Sequence, residues 1–158
     1  MSTRTSPGFT VIGVAVRTTN GKEMSGRGII GKLWERVMEE RLSEKIPNRA
    51  DSSIIALYTD YDSDAHGEYT FLVGAKVASD LIVPEGMEAR HIPDGNYSIF
   101  ESEKGPVWVV VPETWQKVWA ASPAELGGQR TYFADFEVYD GRAADPADAV
   151  VEVWVGIR

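Results

Sequence analysis

A chain of 158 residues with 16 Lys and Arg against 24 Asp and Glu, a formal net charge of −8, lacks the basic surplus that nucleic-acid binding draws on. It has no cysteine, which excludes disulfides, thiolate chemistry and cysteine-ligated metal. No apolar run approaches membrane-spanning length and Met1–Gly8 is too polar to open a signal peptide, so the expectation is a cytosolic protein burying about 70% of its unfolded surface around one core.

Residues 1–8 read as a frayed tail, followed by a strand at Phe9–Val16 and a polar, glycine-containing loop to about Gly28. Within Ile29–Leu42, the residues Ile30, Leu33, Trp34, Val37 and Met38 recur at the spacing of one helical face. Pro47-Asn48 ends that helix, and Ser53–Tyr61 and Tyr69–Val77 are strands paired through the turn Asp62–Gly67. After a turn at Pro84–Met87, short strands Glu88–Ile92 and Tyr97–Glu101 flank Pro93-Asp94-Gly95-Asn96. Gly105-Pro106 breaks the chain, and Val107–Val111 fits a strand or a first helical turn equally well. Pro112 suits the start of a helix carrying Trp115, Val118 and Trp119, closed by Gly127-Gly128. Strands at Arg130–Asp140 and Ala149–Ile157, separated by a loop to Asp148, complete the chain.

The order is β-α-β-β twice within one domain over 1–158, in halves of about 9–80 and 88–157. Tyr58-Thr59-Asp60-Tyr61-Asp62 matches Phe133-Ala134-Asp135-Phe136-Glu137 type for type. Such self-similarity predicts an α+β fold of duplicated units with pseudo-twofold symmetry. The helices should lie on one side of a mainly antiparallel sheet, with a ligand groove between the halves.

Several motifs carry no chemistry. Gly26-Arg27-Gly28-Ile29-Ile30-Gly31 matches the dinucleotide fingerprint, but it does not follow a strand tightly and the strands after it form a hairpin, so it reads as a flexible loop. Asp60, Asp62 and Asp64 resemble the start of a calcium loop, yet Ala65 and Phe71 stand where glycine and glutamate are needed. His66 and His91 have no partner at metal-ligand spacing, and no nucleophile elbow is present. Neither metal nor cofactor is expected.

The informative stretch is Arg130–Asp140. Alternation puts Tyr132, Ala134, Phe136 and Val138 on one face and Phe133, Asp135, Glu137 and Tyr139 on the other. An ionised carboxylate among rings is costly unless a positive group pairs with it, so this face is either solvated or a site. Trp119 sits on the apolar stripe of its helix and reads as core, whereas Trp34 and Trp115 suit either core or pocket wall. Rings around a carboxylate suit a lipophilic cation, or a carboxyl of raised pKa doing acid–base work. Asp135 ranks below Glu137, because its counterpart Asp60 points to a structural role near a strand end.

The runs Leu33-Trp34-Glu35-Arg36, Ile46-Pro47-Asn48-Arg49, Tyr58–Asp64 with Gly67–Gly74, Pro84-Glu85-Gly86-Met87 and Asp135–Asp140 together resemble the GyrI-like small-molecule-binding superfamily. That superfamily includes the effector-binding domains of AraC-type and MerR-type regulators and the stand-alone integron-associated effector-binding proteins. The resemblance spans about Phe9 to Ile157 and implies a duplicated SHS2-type fold with a pocket glutamate at Glu137. It further implies an aromatic wall of Trp34, Tyr58, Tyr69, Trp115 and Phe133, and a lipophilic, cationic small molecule as partner. No helix-turn-helix is visible, so a stand-alone member is expected, without direct contact to nucleic acid or membrane. Similar family members hydrolyse cyclopropane-bearing genotoxins with the same glutamate, and others are gyrase inhibitors; these are the enzymatic and protein-interaction alternatives.

Overall fold

Eight strands, β1 (Ser2–Ser6), β2 (Phe9–Thr18), β3 (Ile54–Thr59), β4 (Tyr69–Val77), β5 (Glu88–Ile92), β6 (Gly95–Glu101), β7 (Arg130–Tyr139) and β8 (Glu152–Ile157), form one sheet in a computed structural model that describes residues 2–158. The order is β1-β6-β8-β7-β3-β4-β2-β5, and every pairing is antiparallel. That order reads symmetrically outward from the central β7–β3 pair. On each side of the centre stands one β-α-β-β unit: β2, α2 (Ile30–Glu39), β3, β4 and β6, α3 (Val107–Ala120), β7, β8.

The leading strands are exchanged between the halves. β1 precedes the first unit but pairs with β6 of the second, and β5 precedes the second but pairs with β2 of the first. The expected tail is therefore an edge strand from Ser2 to Ser6. Its side chains are mostly exposed, so apolar alternation never marked it, and its order comes from backbone pairing. β5 and β6 flank a strong turn yet do not pair with each other.

The sheet buries both faces by different means. On one, Val14, Ala56, Tyr69, Phe71 and Val73 pack under Leu33 and Val37 of α2, while Val153 and Val155 pack under Trp115 and Val118 of α3. On the other, Val11, Ile55, Leu57, Leu72, Tyr97 and Phe136 form a cluster that contains no helical residue. Here the sheet covers itself. β2 and β7 are three strand spacings apart, about 14 Å in a flat sheet, yet the rings of Phe9 and Phe136 lie 5.2 Å centroid to centroid. Curling brings them together and leaves the opposite face splayed beneath the helices.

Two short helices and two corrections concern the helical layer. The glycine-containing loop holds α1 (Asn20–Met24), and α4 (Pro123–Leu126) carries a reciprocal Ser122–Glu125 capping box before Gly127 at φ 87°. The ambiguous Val107–Val111 is helical, and Pro112 lies inside α3 instead of opening it. The glycine motif serves the first turn of α2. Ile29 offers no side-chain cap, and the Glu23 carboxylate instead accepts the backbone N–H of Ile29 at 3.0 Å and of Ile30 at 3.1 Å. A Cβ on Gly28 would overlap that carboxylate. Glu23→Ala should therefore cost about 0.5–2 kcal/mol in denaturant unfolding, the range for a lost cap, with Glu23→Gln retaining part of it.

Candidate functional site

β7 sets the site by changing face partway along. Tyr132 takes φ 49°, and the register against β8 breaks between Arg130 and Asp135. From Asp135 onward the alternation holds, so Asp135, Glu137 and Tyr139 point to the helix side. Before it, the faces invert: the Tyr132 ring meets Tyr61 at 5.9 Å on the helix side, and Phe133 turns away with 54% exposure. The sequence reading that grouped Phe133 with Glu137 fails here for a backbone reason. Phe133 lies instead beside a second hollow of about 210 Å³ with Pro93 and Tyr97, its carbonyl accepting from Thr59 Oγ1 at 2.9 Å.

Between α2 and α3 the splayed face opens a cavity of about 1050 Å³. Trp34, Tyr58, Tyr69, Trp115 and Glu137 all line it; Phe133 does not. Tyr139, Tyr61, Trp108 and Trp119 complete the aromatic wall and were not singled out for it from sequence. Tyr139 had a usable signal, being two residues beyond Glu137 on the same strand face. Trp119, read as core, is 44% exposed at the cavity because α3 turns its apolar stripe partly outward.

Glu137 is 1% exposed and carries no ion pair among the described residues. Tyr58 Oη and Trp115 Nε1 both donate to Oε2 at 2.7 Å, and Tyr139 Oη donates to Oε1 at 2.6 Å. An indole N–H can only donate, so the set matches an ionised carboxylate. Burial raises the Glu137 pKa above the ordinary carboxylate value, with the three donors pulling it back. Burial likewise pushes the Tyr58 and Tyr139 hydroxyls well up, with the facing carboxylate adding to it, so both remain protonated donors. A carboxylate offers roughly four lone-pair positions, and the fourth, on Oε1, has no donor among the described residues. The rings are themselves braced: Trp34 meets Tyr139 edge-on at 4.8 Å, and Tyr58 meets Trp115 at 5.1 Å.

Asp135, two residues earlier, is equally buried but is paired with a cation. Arg130 Nη2 donates to it at 2.8 Å, Tyr61 Oη donates to the same oxygen, and the Gly156 backbone N–H donates to Oδ1 at 2.8 Å. It ties the irregular start of β7 to β8. The sheet also revises the internal alignment of the halves. Val73 pairs with Ala56, and Val155 with Asp135, so with Gly74 matched to Gly156 the residue equivalent to Glu137 is Tyr58, not Asp62. Two symmetry-related positions thus hydrogen-bond to each other at the centre of the cavity floor. Among the described residues no cluster of three His, Asp or Glu is placed to hold a metal ion, and no helix is long and apolar enough to cross a membrane.

An eight-stranded antiparallel α+β domain with a carboxylate-floored cavity between its halves is the class this geometry defines. Residues 4–157 match the Cass2 family model, integron-associated effector binding protein. The chain is 37% identical over 147 residues to YobU of Bacillus subtilis (strain 168), named as a transcriptional regulator protein, covering 92% of this chain and 90% of that one. The integron cassette protein VCH_CASS2 of Vibrio cholerae superposes with a TM-score of 0.77 at 29% identity, covering 99% and 95% of the two chains. SAV2435, solved bound to tetraphenylphosphonium, shares the fold with a TM-score of 0.78 at 16% identity, covering 99% and 93%. The chain belongs to the integron-associated effector-binding proteins of the GyrI-like family.

Proposed function

We propose that this protein binds lipophilic, cationic small molecules in the cavity between α2 and α3, with Glu137 as the counter-charge. One observation carries the reading: Glu137 is a buried carboxylate in an aromatic cavity with donors but no cation, while Asp135 beside it already holds its arginine. Burying an unpaired charge is expensive, and a bound cation would relieve the cost that the unfilled cavity carries. The rings supply apolar area and cation–π attraction around it. SAV2435, a protein of the same fold, binds a ligand of this chemistry.

The decisive comparison is between ions of one shape and opposite charge. Tetraphenylphosphonium should quench tryptophan fluorescence saturably, through Trp115, and tetraphenylborate should bind at least about 100-fold more weakly, a difference of roughly 2.7 kcal/mol. Equal affinity for the two ions would sink the proposal. Mass spectrometry of the ligand after incubation separates binding from the hydrolytic reading of the same carboxylate: recovery of unchanged cations, cyclopropane-bearing ones included, supports a receptor.

The affinity should also depend on pH with a defined sign. Only the ionised carboxylate attracts a cation, and the Glu137 pKa lies above its ordinary value. Titrations at decreasing pH should therefore show cation affinity falling through a window above the ordinary carboxylate value of about 4.3, with no such fall in Glu137→Gln.

A further inference from the structure

Beyond Glu137, the charged side chains lining the cavity are Glu23, Glu35, Glu39, Arg130 and Asp140. Most are already engaged. Glu23 caps α2, Arg130 pairs with Asp135, and Asp140 pairs with Arg142 at 2.9 Å. Glu35 and Glu39 are not: neither is in an ion pair among the described residues, although Arg36 on the outer side of the same helix reaches Glu40 at 3.2 Å. They stand at i and i+4 on the cavity face of α2, where like charges destabilise a helix instead of supporting it. Lys32 and Arg36 stand three residues before Glu35 and Glu39, yet neither closes an ion pair with them among the described residues, so the like-charge pair is a position to be explained by what binds there. The other half of the pattern is independent of this pair. Glu137 is buried on the floor of the same cavity, equally without a counter-charge. Trp34, adjacent in sequence to Glu35, packs on Tyr139, which donates to Glu137, so one aromatic path joins floor and mouth. A volume of about 1050 Å³ also lies just above the range for small-molecule sites, roughly 300–1,000 Å³. A compact monocation seated at Glu137 would leave the α2 mouth unfilled.

We infer that the preferred ligands are elongated dications, with one cationic centre at Glu137, an apolar spacer along Trp34 and Tyr139, and the second centre at the Glu35–Glu39 pair. This rests on the cation-binding reading of the cavity and narrows its ligand class. The mouth carboxylates are exposed, so their contribution is modest and screened by salt, unlike that of the floor.

The test uses two probes that differ only in the second charge: decamethonium and n-decyltrimethylammonium, titrated calorimetrically into the intact protein. Wild type should favour decamethonium by about fivefold or more, the scale of one or two exposed ion pairs, with the preference shrinking at high salt. In Glu35→Gln/Glu39→Gln the ratio of the two affinities should fall to about one. That variant removes a like-charge pair from an exposed helix face, and an unchanged or raised melting temperature would verify its fold. A ratio near one in wild type, or a preference that survives the double substitution, overturns the inference while leaving cation binding intact. Failure of both probes in wild type overturns it together with the reading beneath it.

Discussion

Asp135→Ala should destabilise the protein by about 3–5 kcal/mol, the cost of stripping one partner from a buried ion pair. The substitution leaves the Arg130 guanidinium without its carboxylate and removes the acceptor for Tyr61 Oη and the Gly156 N–H. Arg130 already has a buried Nε without a partner, so little local capacity remains to absorb a second loss. Denaturant unfolding measures the effect directly. Arg130→Met combined with Asp135→Ala should recover part of it, because the uncompensated charge is then gone. A loss below about 1 kcal/mol in the single variant would mean that Arg130 escapes to solvent and that Asp135 is not what anchors the irregular start of β7.

Glu137→Gln should behave in the opposite way, weakening tetraphenylphosphonium binding at least about tenfold, or 1.4 kcal/mol, without lowering stability comparably. Glutamine still accepts from Tyr58 and Trp115 through its carbonyl oxygen but offers no charge. Stability carries its own signature. The folded-state pKa of Glu137 is raised, so its favourable contribution is complete below the unfolded carboxyl value and is lost as pH rises through the folded one. Wild type should therefore lose stability relative to Glu137→Gln over that interval. Parallel unfolding and binding titrations across pH check both halves; a large destabilisation of Glu137→Gln at neutral pH would reassign Glu137 to the scaffold.

These two carboxylates on one strand face illustrate what could be read from the chain. Periodicity identified the strand and the helical layer but not that the strand pairs with Ile54–Thr59 at the centre of the sheet, and the quoted runs identified the family. Four of the five aromatic residues named for the wall do line the cavity. The exception, Phe133, turns on the positive φ of Tyr132, a position with neither glycine nor asparagine to announce it. The strand Ser2–Ser6 was illegible for another reason: an edge strand held by backbone hydrogen bonds has no need of apolar alternation. Val107–Val111 is β-branched and aromatic, favouring a strand by propensity, and became helical because Val111 and the later Trp115 and Val118 pack on β8 and its neighbours. Tyr139 was placed on the correct face but not connected to Glu137, because the hydrogen bond depends on side-chain geometry that alternation does not specify.

The exchange of β1 and β5 between the halves governs when the fold can be completed. Ser2 pairs with Ile99, and the edge opposite β4 on β2 is filled only by Glu88–Ile92. As the chain leaves the ribosome, β2, α2, β3 and β4 can assemble early, but β1 must wait for Gly95–Glu101 before its partner exists, and β3 waits longer still for β7. Such distant pairings incur loop-closure entropy before they return any contact energy, which slows folding. Each half takes its outermost strand from the chain that precedes the other. The cavity floor, whose Tyr58–Glu137 hydrogen bond spans the two, is assembled only when late synthesis closes the sheet.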